Sequence, residues 1–349
     1  MSERILFINL IKQCNVHCDR CYLTEESRRD PQRLTWPTLD AVLSSDWANE
    51  SDLAMIWEGG EAALAGRQHF TEILDLAIAK HPHARQTMVT NLYSLPNWLI
   101  KLSKQYFNGK VETTFALEGK YSLSKNGEQF LQHFAKNYRK ARSSGLSCPI
   151  NLELNDHTVA LGPQALIDYL KPLGDCRVEF DISVDFEQFL RDPSYTIHGY
   201  PLLPLTTTYA RFSAYVAEFW ERLVDQGLDG VITSSLIDEM RDAKASSMFA
   251  VSRGGDFLTL NPDGFLTTNP LFSDLKPAFL GNVNSEPANA ILSGRKRMQF
   301  IRHELRKTVD CMKCPYFSLC SGGSPYAPTF DGSGDCSGMK SLRQFFETK

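Results

Sequence analysis

Nine cysteines are spread over 349 residues, and seven of them fall into two groups: Cys14, Cys18 and Cys21 near the start, then Cys311, Cys314, Cys320 and Cys336 near the end. Thiolates bind iron–sulfur clusters and zinc, so the spacing of cysteines says more than their number. CNVHCDRC sets three thiols four and three residues apart, a pattern a random chain of this composition shows with a probability of only about 0.006. Such a loop can fold around a cube of iron and sulfide, and three thiolates leave one iron open to a substrate or cofactor. Structural zinc wants a closed set of ligands, so a zinc reading needs a further donor, for which His17 is available. In the second group CxxC is followed by a third cysteine six residues on and a fourth after sixteen more. Taken alone, that set suits a tetrahedral zinc or a fully ligated cluster.

The elements that must position these thiols follow from hydrophobic periodicity. ILFINLI, LAMIW, QTMVT, VETTFAL, PINLEL and RVEFDISV read as strands, and between them lie runs with apolar residues near helical spacing. Six strand–helix units predict an α/β fold, an open, partial (β/α)6 TIM-like barrel with its ligands at the C-terminal ends of the strands. There the sequence places the first cysteine loop, Gly59, Gly60 and Glu61 after the second strand, Thr90 and Asn91 after the third, and Glu118 after the fourth. Asn151 and Glu153 on the fifth, and Glu179, Asp181 and Asp185 on or near the sixth, are polar candidates, with Glu153 and Asp185 chosen as acid/base residues. Residues 186–200 look like a connection, a helix around TTTYARFSAYVAEFWERLVDQG follows, and from about residue 245 short strands, Gly and Pro turns and the second cysteine group take over. The expected organisation is a barrel over residues 1–190, a connecting helical segment over 191–240, and a small, cluster-stapled domain over 241–349.

Bulk properties narrow the partners. A net charge of -4 gives no overall basic field, which makes nucleic acid a poor partner. No signal peptide and no membrane-length apolar run is visible, so a cytoplasmic location is expected, where disulfides are disfavoured. Cys148 and Cys176 stand alone and read as small buried hydrophobes.

CxxxCxxC with the following Tyr22, and the GGE turn one unit later, resemble the signature of the radical S-adenosylmethionine (SAM) superfamily. The tail segments LTLNPDGFLTTN, LGNVNSEP and CMKCPYFSLCSGGSP resemble, in order, the SPASM/twitch-like domain that follows many barrels of that family. The resemblance implies SAM chelated to the open iron, with Tyr22, Gly59, Gly60, Glu61, Thr90, Asn91 and Glu118 around it and the GGE turn meeting the cofactor's ammonium. In the FALEG segment, Ala116 stands where many relatives have Ser and Glu118 where they have Asp. The tail cysteines match the ligands of an outer auxiliary [4Fe-4S] cluster, with Tyr316 and Tyr326 flanking them. An inner cluster would need cysteines at Ser252, Asn269 and Ser324, so two clusters in total are expected, one catalytic and one auxiliary, with space left where the inner one would be.

The resemblance further implies a flavodoxin- or ferredoxin-type electron donor and reductive cleavage of SAM to a 5′-deoxyadenosyl radical that abstracts a substrate hydrogen. The preferred substrate is a peptide or protein side chain, oxidised or cross-linked as in the maturation of ribosomally made peptides. Against it, many such maturases carry a leader-recognition module, and thirteen residues precede Cys14. The alternatives are radical chemistry on a nucleotide, sugar or amino-acid derivative, and a non-catalytic electron-transfer or zinc-binding protein.

Overall fold

The computed structural model describes residues 3–18, 20–50, 52–117, 127–192, 194–197, 199–245 and 255–349. Six parallel strands lie side by side in chain order: β1 (Arg4–Ile11), β2 (Leu53–Gly59), β3 (Arg85–Thr90), β4 (Glu112–Phe115), β5 (Ile150–Leu154) and β6 (Cys176–Ile182). Each matches one expected strand, and the mixed α/β architecture expected from the alternation is the one observed. Parallel strands need crossovers, and these are the amphipathic helices that cover the sheet's outer face. Asn97–Tyr106, for example, buries Leu99, Ile100, Leu102 and Ser103.

The sheet does not stop at either end of the six. After a short hairpin of β7 (Thr196–Ile197) and β8 (Tyr200–Pro201), the chain runs through the helix Tyr209–Asp225 into β9 (Ile232–Thr233), which pairs parallel with β6. At the other end β10 (Phe257–Leu260) pairs parallel with β1, with Ile5 opposite Phe257 and Ile8 opposite Leu260. Antiparallel β11 (Phe265–Thr267) and β12 (Gly281–Asn282) complete the ten-stranded sheet. Residues from the expected C-terminal domain thus continue the sheet that carries the first cysteine loop.

The main core fills the space between strands and helices, and a smaller one sits at the C-terminal strand ends. There Val184, Phe186, Phe189, Tyr200, Leu203, Phe272 and Phe300 pack together with Tyr22 and Tyr326 against them. The C-terminal helix Lys340–Glu347 docks on Tyr209–Asp225 through Phe345 and Phe346, whose rings meet Trp220 edge-on at 5.9 and 5.2 Å. Among the described residues no helix is long and apolar enough to cross a membrane.

Phe134 shows how tightly the outer layer is filled. It is fully buried and its ring lies 4.8 Å from Phe115 and 6.0 Å from both Phe130 and Tyr138. Phe134→Ala should lower unfolding stability by about 3–5 kcal/mol, whereas Leu190→Ser, at an exposed position, should stay within about 0.5 kcal/mol; urea titration of both variants checks the contrast.

Candidate active site

Cys14, Cys18 and Cys21 all line one cleft at the C-terminal ends of β1–β5, together with Tyr22, Glu58, Gly59, Gly60, Thr90, Asn91, Thr114, Glu153 and Phe186. The cleft holds about 770 Å³ of empty space, open to solvent on one side. All three cysteines are unbridged. Burial pushes the Cys14 thiol to about 12, the opposite of what a lone nucleophile needs, whereas a bound metal would ionise it outright. His17 is exposed and does not line the cleft, so it is not placed as a fourth donor to the thiols. Among the described residues no three such side chains are gathered to hold a single metal ion. Three thiols spread over a roomy cleft fit a cluster, which brings its own volume, better than they fit zinc.

The loop is held by its surroundings. Asp274, from the segment after β11, receives Lys12 Nζ at 2.8 Å and the Thr24 backbone N–H at 2.7 Å. One carboxylate therefore closes both ends of the segment that carries the three cysteines. Lys12 also donates to the Ser273 carbonyl at 3.0 Å, and the ion pair is buried, with side chains 9% and 7% exposed. Beneath it, Asn9 donates to Asn261 and Ser273, both at 2.8 Å. Inside the loop, the Cys14 N–H donates to the Arg28 carbonyl at 3.1 Å.

Gly59 and Gly60, which line the cleft, also have a reason in the packing of the chain itself. Backbone N–H groups of Gly60 and Glu61 donate to the carbonyls of Ile11 and Gln13 at 3.0 and 2.9 Å, so the turn after β2 packs directly on the chain entering the cysteine loop. A Cβ on Gly60 would lie 2.2 Å from the Lys12 carbonyl oxygen, and one on Gly59 2.0 Å from that of Ile11, with Gly59 at φ 135°. Only glycine lets the two backbones touch.

Glu61, expected to meet the cofactor's ammonium, does not line the cleft. Its buried carboxylate accepts from Thr90 Oγ1 at 3.0 and 2.9 Å, the Asn91 N–H at 2.9 Å and the Ala63 N–H at 3.3 Å. Burial raises its pKa while these bonds oppose the rise. Glu61 thus fastens the end of β3 to the end of β2. Asn91 continues the chain of contacts, donating to Asn15 at 2.9 Å and lying 3.7 Å from the Cys14 sulfur. Tyr22 donates its hydroxyl to the Gly59 carbonyl at 3.2 Å and packs beside Phe186.

Of the acid/base candidates, Glu153 lines the cleft and accepts from Ser183 at 3.2 Å. Asp185 does not; it caps the helix Phe186–Arg191 by accepting the Gln188 N–H at 2.9 Å. Glu179 is tied to Ser235 and Arg177, away from the cleft. Asn151 is not part of the lining, Asp181 is exposed, and Glu118 lies outside the described residues. Burial pushes Cys148 and Cys176 both to about 12, in keeping with neutral, inert thiols.

Glu58 is a cleft residue that the sequence reading passed over. It follows Trp57, which is buried against Phe70 on the outer face, so strand alternation turns Glu58 into the barrel. Its Oε1 is buried without a hydrogen-bond partner, and burial, aided by Glu112, pushes the carboxyl from 4.5 to about 8.

The four later cysteines line a second cavity of about 690 Å³ with Pro315, Phe317, Phe330 and Gly338. Gly338 packs so closely that a Cβ there would lie 2.9 Å from the Cys320 sulfur. Tyr316 donates to Glu347 at 2.6 Å, while the Tyr326 carbonyl accepts the Leu203 N–H at 2.7 Å near the barrel mouth. The space expected from a missing inner cluster takes another form. Ser324 lines a polar cleft with His303, Glu304 and Lys307, Asn269 is buried and caps the short turn Pro270–Phe272, and Ser252 lies outside the described residues.

A pH titration tests the environment of Glu58. The folded protein holds a proton there up to about pH 8 that the unfolded chain releases near 4.5, so this group's contribution falls as pH rises between those values. In metal-free protein, Glu58→Gln should match the wild type below pH 4.5 and exceed its stability by roughly 4 kcal/mol at pH 8. Parallel denaturation curves across that range would refute the assignment.

No family model matches the chain. Among curated proteins, an uncharacterized protein of Synechocystis sp. is 22% identical over 356 residues, spanning 92% of this chain and 83% of that protein. A serine-type anaerobic sulfatase-maturating enzyme of Klebsiella aerogenes is 22% identical over 331 residues, spanning 89% and 77%. Among solved structures, the sulfatase-maturating enzyme anSMEcpe with bound AdoMet superposes with a TM-score of 0.70 at 15% identity, covering 100% of this chain and 93% of its own. Streptococcus suis SuiB gives 0.56 at 12% identity, covering 95% and 76%. At such identities the likeness is one of architecture, and by that measure this chain has the fold of the radical SAM enzymes that carry a C-terminal SPASM domain.

Proposed function

We propose that this chain is a radical SAM enzyme that oxidatively modifies or cross-links a side chain of a peptide or protein. The observation that carries the reading is the convergence of Cys14, Cys18 and Cys21 with Gly59, Gly60, Thr90 and Asn91 on one cleft at the strand ends. When bound, a [4Fe-4S] cluster with one open iron and SAM would supply the reductive cleavage that yields a 5′-deoxyadenosyl radical.

The chain's own residues bind, orient and exclude water. The three thiolates would hold the cluster, and the Asn91 amide, 3.7 Å from the Cys14 sulfur, steadies that ligand. The backbone of Gly59 and Gly60 would form part of the wall for SAM, while Glu61 acts through the turns it joins. Tyr22 and Phe186 shield the mouth from water. Glu153, on β5 and hydrogen-bonded to Ser183, is the residue that accepts a proton from substrate. Cys311, Cys314, Cys320 and Cys336 would hold the auxiliary [4Fe-4S] cluster, and such a cluster would supply an acceptor for the electron a substrate radical must lose. A flavodoxin- or ferredoxin-type protein is the external donor.

A peptide substrate is favoured by the company the fold keeps. The anSMEcpe structures include one with bound AdoMet and the Cp18Cys peptide, and SuiB has been solved with its precursor peptide SuiA.

Replacing Cys14, Cys18 and Cys21 together by Ala should abolish formation of 5′-deoxyadenosine under dithionite and leave about half the protein's iron. Continued formation by that variant would sink the site assignment. Replacing Cys311 and Cys314 by Ala should remove the other half of the iron, spare SAM cleavage and block turnover of a peptide substrate, followed by mass spectrometry as loss of hydrogen from the product. Normal turnover by the double variant would show that the second centre is structural.

A further inference from the structure

Arg343, on the helix Lys340–Glu347, is only 2% exposed and among the largest fully buried side chains of the protein. A guanidinium in such a place ordinarily has a carboxylate beside it. Here, among the described residues, no carboxylate lies within ion-pair distance. Its two terminal nitrogens reach only the backbone carbonyls of Lys244 and Leu319, each at the long distance of 3.4 Å, and Nε has no partner. An uncompensated buried cation costs several kcal/mol in general, so something nearby must carry negative charge.

The adjacent group is the second cysteine set. Leu319, which receives one of the nitrogens, immediately precedes Cys320. The negative charges that favour the protonated guanidinium are those of Cys320 first, then Glu239, Tyr316 and Cys314, against the opposing effect of burial. Neutral thiols cannot serve. Four thiolates around a [4Fe-4S] core leave a net negative centre. Other charges lie nearby. Lys313 and Lys340 are exposed and screened by water, whereas the half-buried Lys307 is a second cation toward Cys311 and Cys320. Glu239 acts on Arg343 after Cys320, outside ion-pair distance, and the Asp335 carboxylate is occupied by the backbone N–H of Cys336 and Ser341 and by the Ser213 hydroxyl.

Resting on the two-cluster reading above, we infer that Arg343 is the buried counter-charge of the Cys311–Cys314–Cys320–Cys336 cluster and holds its reduction potential up. Reduction adds one electron to an already negative centre, and a fixed positive charge just behind Cys320 favours the reduced form. The cluster is thereby a better acceptor for an electron leaving the substrate radical. Arg343 is a positioning residue in this account, since it touches neither substrate nor SAM.

The test is a redox titration of the reconstituted full-length protein, followed by electron paramagnetic resonance, for wild type, Arg343→Lys and Arg343→Gln. Iron content and the effect of SAM on the spectra identify the two clusters beforehand. The midpoint potential of the SAM-insensitive cluster should move to lower values in Arg343→Gln, stay near wild type in Arg343→Lys, and leave the SAM-sensitive cluster unchanged. Loss of the auxiliary cluster in Arg343→Gln with retention in Arg343→Lys also supports the charge requirement. An unchanged potential in Arg343→Gln, or loss of the cluster in both variants, overturns it. Wild-type protein with about four irons and one zinc per chain would instead fail the two-cluster reading itself, before any variant is compared.

Discussion

A carboxylate buried between strands organises the candidate site. Glu61 binds the hydroxyl of Thr90 and the N–H groups of Asn91 and Ala63, so the ends of β2 and β3 are fixed to one another by charge-assisted bonds in a region that excludes water. The glycine turn that carries Glu61 is in turn bonded to the chain entering the cysteine loop. Moving any of the three pieces breaks bonds to the buried carboxylate or to the turn that carries it, which makes the strand ends a rigid frame for whatever occupies the cleft. Asp274 does the corresponding work from the other side, closing the cysteine segment at its two ends.

Much of this architecture was legible in the residues. The six strands were visible because parallel strands covered on both faces are written as short apolar runs, and the cysteine loop because its spacing is rare. Other residues sit differently from their sequence reading, for physical reasons that differ from residue to residue. The role of Glu61 depends on partners thirty residues away, and a carboxylate beside two glycines looks the same in sequence whether it faces a ligand or a neighbouring strand. Asp185 did announce itself, since Asp followed three residues later by Gln is a helix-capping pattern; its place near a strand end drew the functional reading instead. Glu58 was also within reach, through the alternation that sends Trp57 outward. The Lys12–Asp274 pair was not, because its members are 262 residues apart and nothing local links them.

The two cysteine centres are built on different terms. At the first, the thiols face a large open cleft and their supports are neutral amides, backbone groups and a distant ion pair. At the second, four thiols line a cavity of similar size with apolar residues, glycines and the charged Asp310, Lys313 and Lys340, and a buried guanidinium lies nearby.

The pairing of β10 with β1 bears on how the molecule can be taken apart. β1 is the strand that leads into the first cysteine loop, and its outer edge is covered only because residues 257–260 lie along it. Cutting the chain after β9 would strip that cover and expose a long, apolar strand edge, a template for pairing with other chains. The cysteine-rich tail is therefore also the barrel's guard against self-association, and a barrel shortened to its six leading units would be expected to precipitate as fibres or aggregates rather than survive as a smaller enzyme.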